Sequence, residues 1–180
     1  MNPLLKLHDC GQSYWIDNLT REMLRSGRLQ QRVENEGLRG VTSNPAIFHK
    51  AISSGTAYDA QIRQLFDEGK SPLEVYEEIT TTDIRDACDV LRPLWDRTDG
   101  AEGYVSLEVS PHLARDTDGS IREARHLHAK VNRPNLFIKI PGTVEGAPAI
   151  EQLLVEGIDV NVTLLFSVEA YERVAEAYLR

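Results

Sequence analysis

Lys139 stands in the run Leu136-Phe137-Ile138-Lys139-Ile140-Pro141, and only five of the twenty basic residues of the chain are lysines. An amine with an ordinary pKa of about 10.4 must shed a proton before it attacks a carbonyl, and an apolar setting favours the neutral form. Residue type and surroundings therefore suit imine chemistry. They equally suit a lysine that snorkels its head out of a strand end, or one paired with a carboxylate such as Glu108. Position alone leaves these readings side by side.

Asp17 and Glu108 lie in segments otherwise rich in Trp, Ile, Val and Leu, which makes them candidate proton carriers. The alternatives are an ion pair for either one, and for Asp17 an N-cap of the helix expected to begin near Leu19. Asn44 precedes Pro45, so it is either a substrate-facing amide or a turn residue after a strand. Asn161 and Thr163 share one face of a strand, where an amide and a hydroxyl can bind substrate hydroxyls, hold a water, or simply hydrogen-bond inside a barrel.

His126 and His128 do not share a helix face, and His8, His49 and His112 are scattered, so no metal site is expected. No nucleophile elbow, phosphate-cradling Gly-Lys loop or dinucleotide fingerprint occurs. Carbonyl chemistry on a lysine is what remains.

Positioning these groups calls for strands, expected at residues 13–18, 40–44, 104–109, 136–141 and 159–166. Helical stretches separate them. Residues 19–36 carry Leu19, Met23, Leu29 and Val33 at helical spacing, with Gly37 as a stop. Ser71-Pro72-Leu73-Glu74 has the form of a capping box with proline at the first helical position. Ser120-Ile121-Arg122-Glu123 predicts a second box opening a helix to Val131, ended by Asn132-Arg133-Pro134. Residues 146–156 and 167–180 complete the helices, and the long region from 45 to 103 has room for extra helices between the second and third strands.

Strands joined by helical crossovers must run parallel, giving an α/β fold. Period two then sorts each strand: Val105, Leu107 and Val109 against Ser106 and Glu108; Leu136, Ile138 and Ile140 against Phe137 and Lys139; Val160, Val162 and Leu164 against Asp159, Asn161 and Thr163. An open sheet covered on both faces would be apolar throughout. A barrel with reactive groups at its inner strand ends accounts for the pattern, and a sheet with one solvated face is the alternative.

With 180 residues and 41% apolar content, the chain reads as one domain with a sizeable core. A net charge of −8 argues against nucleic acid or anionic lipid as a main partner. Cys10 and Cys88 match no redox or zinc spacing and suit a reducing compartment. No leader pattern or run of about 18 apolar residues is present, so a cytoplasmic protein without a membrane partner is expected.

Four ordered motifs resemble transaldolases of the longer bacterial type: Gly40-Val41-Thr42-Ser43-Asn44-Pro45, Val105-Ser106-Leu107-Glu108-Val109, the segment NLFIKIPGT at 135–143 and GIDVNVTLLFS at 157–167. The resemblance runs from Asp17 to the end of the chain. It implies a (β/α)8 TIM barrel, no cofactor, and transfer of a dihydroxyacetone unit in the non-oxidative pentose phosphate pathway. The donor would be sedoheptulose 7-phosphate or fructose 6-phosphate, and the acceptor erythrose 4-phosphate or glyceraldehyde 3-phosphate.

By the same resemblance, Lys139 forms the imine, Asp17 carries the proton of the cleaved hydroxyl, and Glu108 and Thr163 position a water. Asn44, Asn161 and Thr42 bind the donor sugar. Relatives of this type continue through three more strands and hold the substrate phosphate there, whereas a barrel needs roughly 250 residues. Residues 1–180 are therefore expected to be the N-terminal portion of one barrel domain, an incomplete barrel of about five parallel strands. An open edge invites self-association. Two other functions stay open: a catalytically incomplete fragment acting only through assembly with another chain, and a free fructose 6-phosphate aldolase.

Overall fold

The computed structural model describes residues 2–180. Its sheet has five strands in chain order: β1 (Tyr14–Asp17), β2 (Leu38–Thr42), β3 (Tyr104–Glu108), β4 (Leu136–Pro141) and β5 (Val160–Thr163). Helices fill the connections: after α1 (Lys6–Asp9) come α2 (Arg21–Arg25), α3 (Arg28–Asn35), α4 (Pro45–Ser53), α5 (Asp59–Asp67), α6 (Pro72–Arg97), α7 (Thr117–Val131), α8 (Gly146–Val155) and α9 (Val168–Leu179). Parallel strands in sequential order with helical crossovers are the α/β pattern of an incomplete (β/α)8 barrel, and α4, α5 and α6 are the extra helices between the second and third strands. Two compact units make up the chain, one of the residues up to Val105 with Arg133–Asn135, the other of Ser106–Asn132 with Leu136–Arg180.

In the first unit β1 and β2 pair in parallel, with Trp15 beside Gly40 and Asp17 beside Thr42. Glycine is required there, because a Cβ on Gly40 would fall 2.3 Å from the Trp15 ring. Helix α6 runs for 26 residues, opened by the expected box: Glu74 accepts from the Ser71 amide at 2.8 Å while the Ser71 hydroxyl accepts from the Glu74 amide at 3.4 Å. Ile84, Ala87, Cys88, Leu91 and Leu94 recur at helical spacing and are buried. Burial pushes the Cys88 thiol up to about 12, so it is an inert core group.

A buried ionic knot ties α2, Tyr58 and α6 together. The Arg21 guanidinium donates from Nε to Asp83 Oδ1 at 2.8 Å and lies 4.4 Å from the centre of the Tyr58 ring. Tyr58 donates its hydroxyl to Asp83 Oδ2 at 2.9 Å and accepts the Arg21 amide at 3.0 Å. Loss of hydration pushes the Asp83 carboxyl above its ordinary value, against the pull of Arg21 and Tyr58.

In the second unit β4 and β5 pair in parallel, Lys139 beside Asn161 and Pro141 beside Thr163. The Val109 amide donates to the Lys139 carbonyl at 3.2 Å, which aligns the end of β3 with β4. Leu107, Val109, Leu136, Ile138 and Ile140 are buried, as period two requires. Arg125 of α7 and Glu156, just past α8, form a two-pronged ion pair, Nε to Oε2 at 2.8 Å.

Hydrogen bonds from Arg125, then from Gln152, hold the Glu156 carboxyl at about 2, below its ordinary 4.5. A carboxyl depressed by folding stabilises the native state above its unfolded value and ceases to do so as pH falls through the folded one. Thermal unfolding of Glu156→Gln should therefore lie below that of the unsubstituted protein near neutral pH and converge with it between pH 4.5 and about 2.

Four local expectations are corrected. The helix expected over 19–36 is two helices, because Gly27 adopts φ 73° and restarts the chain as the cap of α3. Asp116, not Ser120, caps α7 by accepting the Gly119 amide at 2.9 Å. Ser120 instead donates to the Leu113 carbonyl at 3.0 Å, and Glu123 accepts the Ser110 amide at 3.1 Å. The second strand begins earlier, at Leu38, and the last ends at Thr163, where Leu164 turns to φ 60° and leaves the sheet.

Candidate active site

Period two puts Ser106 and Glu108 on one face of β3, Lys139 on the corresponding face of β4, and Asn161 and Thr163 on that of β5. The Lys139 amine stands 3.3 Å from Glu108 Oε2, with the two side chains 12% and 17% exposed. Ile138 and Ile140, pointing the other way into the core, fix the backbone that carries the amine. Lys139 and Glu108 thus form an ion pair. The same contact is the geometry that lets an amine and a carboxylate exchange a proton while a carbonyl is attacked.

Asn161 donates its amide Nδ2 to Ser106 Oγ at 2.8 Å. Ser106 is fully buried. Sequence reasoning placed Ser106 on the face of Glu108 but did not count it among the site residues, although a hydroxyl two residues before a candidate carboxylate was the available signal. Thr163 is half-buried at the end of β5, and its carbonyl accepts the Gly142 amide at 2.7 Å, which ties the Pro141-Gly142-Thr143 turn to the strand.

In the first unit, Asp17 ends β1 in solvent reach, and Thr42, its register partner on β2, donates its hydroxyl to Asp17 Oδ1 at 2.7 Å. Thr20, not Asp17, caps α2 by accepting the Met23 amide at 3.1 Å. Asp17 is therefore held by a hydroxyl and left at the edge of a pocket of about 420 Å³ that Glu22, Lys50 and Tyr58 also line. Asn44 caps α4: its Oδ1 accepts the Ile47 amide at 2.9 Å, and Pro45 occupies the first helical position.

Among the described residues no cluster of three His, Cys, Asp or Glu side chains is placed to hold a metal ion, and no helix is long and apolar enough to cross a membrane. Cys10 is exposed and Cys88 buried, and neither is in a disulfide.

Residues 14–179 match the family model described as transaldolase/fructose-6-phosphate aldolase. The chain is 50% identical over 179 residues to "Transaldolase 2" of Nostoc punctiforme, 53% identical over 178 residues to the transaldolase of Thermobifida fusca, and 51% identical over 179 residues to that of Mycobacterium tuberculosis. In each case 99% of this chain is covered, against 47% or 48% of the relative, so the chain spans about half the length of the curated relatives it matches. The sequentially ordered parallel strands, the Lys139–Glu108 pair on β4 and β3, and above all the match of the family model over residues 14–179 make this chain a member of the transaldolase/fructose-6-phosphate aldolase family.

Proposed function

We propose that the protein is a transaldolase acting in the non-oxidative pentose phosphate pathway of the cytoplasm, and that this chain carries the Schiff-base half of its chemistry within one barrel domain. The observation that carries the reading is the Lys139 amine, 12% exposed and 3.3 Å from Glu108, in a chain whose relatives are transaldolases. The substrates are ketose and aldose phosphates: sedoheptulose 7-phosphate or fructose 6-phosphate as donor, erythrose 4-phosphate or glyceraldehyde 3-phosphate as acceptor.

Lys139 passes a proton to Glu108 and adds through its nitrogen to the ketose carbonyl. The carbinolamine then loses its hydroxyl as water, with Glu108 returning the proton that the leaving oxygen needs, and a cationic iminium results. When the adjacent carbon–carbon bond breaks, its electron pair moves into the iminium to give an enamine, and the proton of the cleaved hydroxyl passes to Asp17. The aldose product departs, the enamine carbon attacks the acceptor aldehyde, and Asp17 returns the proton to the new hydroxyl. A water positioned by Glu108 and Thr163 hydrolyses the imine and frees Lys139. Asn161, Asn44 and Thr42 serve donor binding, Thr42 through its hydrogen bond to Asp17.

Treating the protein with fructose 6-phosphate and sodium borohydride should leave a single reduced sugar adduct, found on the peptide containing Lys139 by mass spectrometry. An unmodified Lys139 under conditions that saturate the donor would sink the proposal.

A further inference from the structure

Ser106 has no part in the chemistry above, yet it is a fully buried hydroxyl on the face that carries Glu108, and it receives the Asn161 amide at 2.8 Å. A buried hydroxyl on a sheet face is retained where its hydrogen bonds are made. An asparagine amide has two chemically opposite ends, a carbonyl that accepts and an NH2 that donates. Whichever end is anchored decides what the other offers to a ligand.

We infer that Ser106 is a positioning residue for Asn161, committing Nδ2 to the protein so that Oδ1 meets the ligand. The inference rests on the proposed function for the identity of that ligand and deepens it. Oδ1 is an acceptor, so the ligand group it meets must donate a hydrogen bond, which a sugar hydroxyl does and a keto or ether oxygen does not. Asn161 and Ser106 are 55 residues apart and on strands that are not neighbours in the sheet order. The bond crosses the face on which Lys139, on the intervening strand β4, is presented.

The probe is D-glucitol 6-phosphate, which carries the hydroxyls of the sugar phosphate and no carbonyl, so its binding is independent of imine formation. By calorimetry, Ser106→Ala and Asn161→Ala should each weaken binding about tenfold, the effect of one hydrogen bond worth about 1.4 kcal/mol. The double variant should be no weaker than Asn161→Ala alone beyond about twofold, because one contact is lost only once. Asn161→Asp keeps acceptor oxygens, one of which the turned Ser106 hydroxyl can hold by donating to it, and should therefore lose less affinity than Asn161→Ala.

Penalties that multiply in the double variant, a Ser106→Ala variant that binds normally, or an unsubstituted protein that fails to bind the probe each overturn the inference. If Asn161→Asp loses as much as Asn161→Ala, the assignment of Oδ1 falls. Binding and coupling as expected, in a protein that gives no borohydride adduct at Lys139, would retain the Ser106 assignment and remove the Schiff-base reading instead.

Discussion

On the proposed function, Lys139→Met should lower transaldolase turnover by about 10⁴-fold or more, the scale on which deleting a covalent nucleophile acts, and should give no borohydride adduct. Methionine is nearly the length of lysine and fills the same place on the Glu108 face of β4, so the loss reflects the missing nitrogen and not a hole. Its cost to stability has a separate origin. Without the ammonium, the Glu108 carboxylate, 17% exposed, stays in a half-buried place with its cation gone. Adding Glu108→Gln should restore much of the melting temperature and none of the turnover. Activity that survives in Lys139→Met, measured by coupled sugar-phosphate assay, would rule the lysine out as the nucleophile.

The largest stability effect is expected at the Arg21–Asp83–Tyr58 knot. Asp83 is fully buried and Arg21 is 4% exposed, so removing either charge strands the other in the core. Asp83→Leu should destabilise the protein by about 3–5 kcal/mol, read from denaturant midpoints at neutral pH. Part of that cost is the Tyr58 hydroxyl, which gives up its acceptor while still holding the Arg21 amide. Arg21→Met combined with Asp83→Leu should recover most of the loss, because no buried charge is left uncompensated. Equal destabilisation of the double and single variants would show that the knot acts through shape and not through charge.

Both expectations concern contacts that were only partly legible beforehand. Lys139 stood out as a charge in an apolar strand, and its imine reading followed from that setting together with the ordered motifs. Which partner its amine takes did not follow, since snorkelling, pairing and catalysis place the same residue on the same face. Nothing in the local spacing of Arg21 or Asp83 marks either as a buried charge. They are 62 residues apart, and each looks like an ordinary surface charge on a helix until the helices pack.

The amino-acid sequence by itself determined the features that depend on near neighbours. The faces of β3 and β4 follow from a two-residue period, the start of α6 from Ser71, Pro72 and Glu74, and the parallel sheet from helical crossovers between strands. Where a local signal had two outlets, tertiary structure chose: Ser120 and Glu123 bond to Leu113 and Ser110 in place of each other, and Asn44 caps a helix while Asp17 does not. Only tertiary structure decided that Lys139 meets Glu108, that Thr42 holds Asp17 and that Asn161 is anchored on Ser106. These hydrogen bonds depend on strand adjacency and register, which are set by packing over many residues, and no spacing within a single segment encodes them.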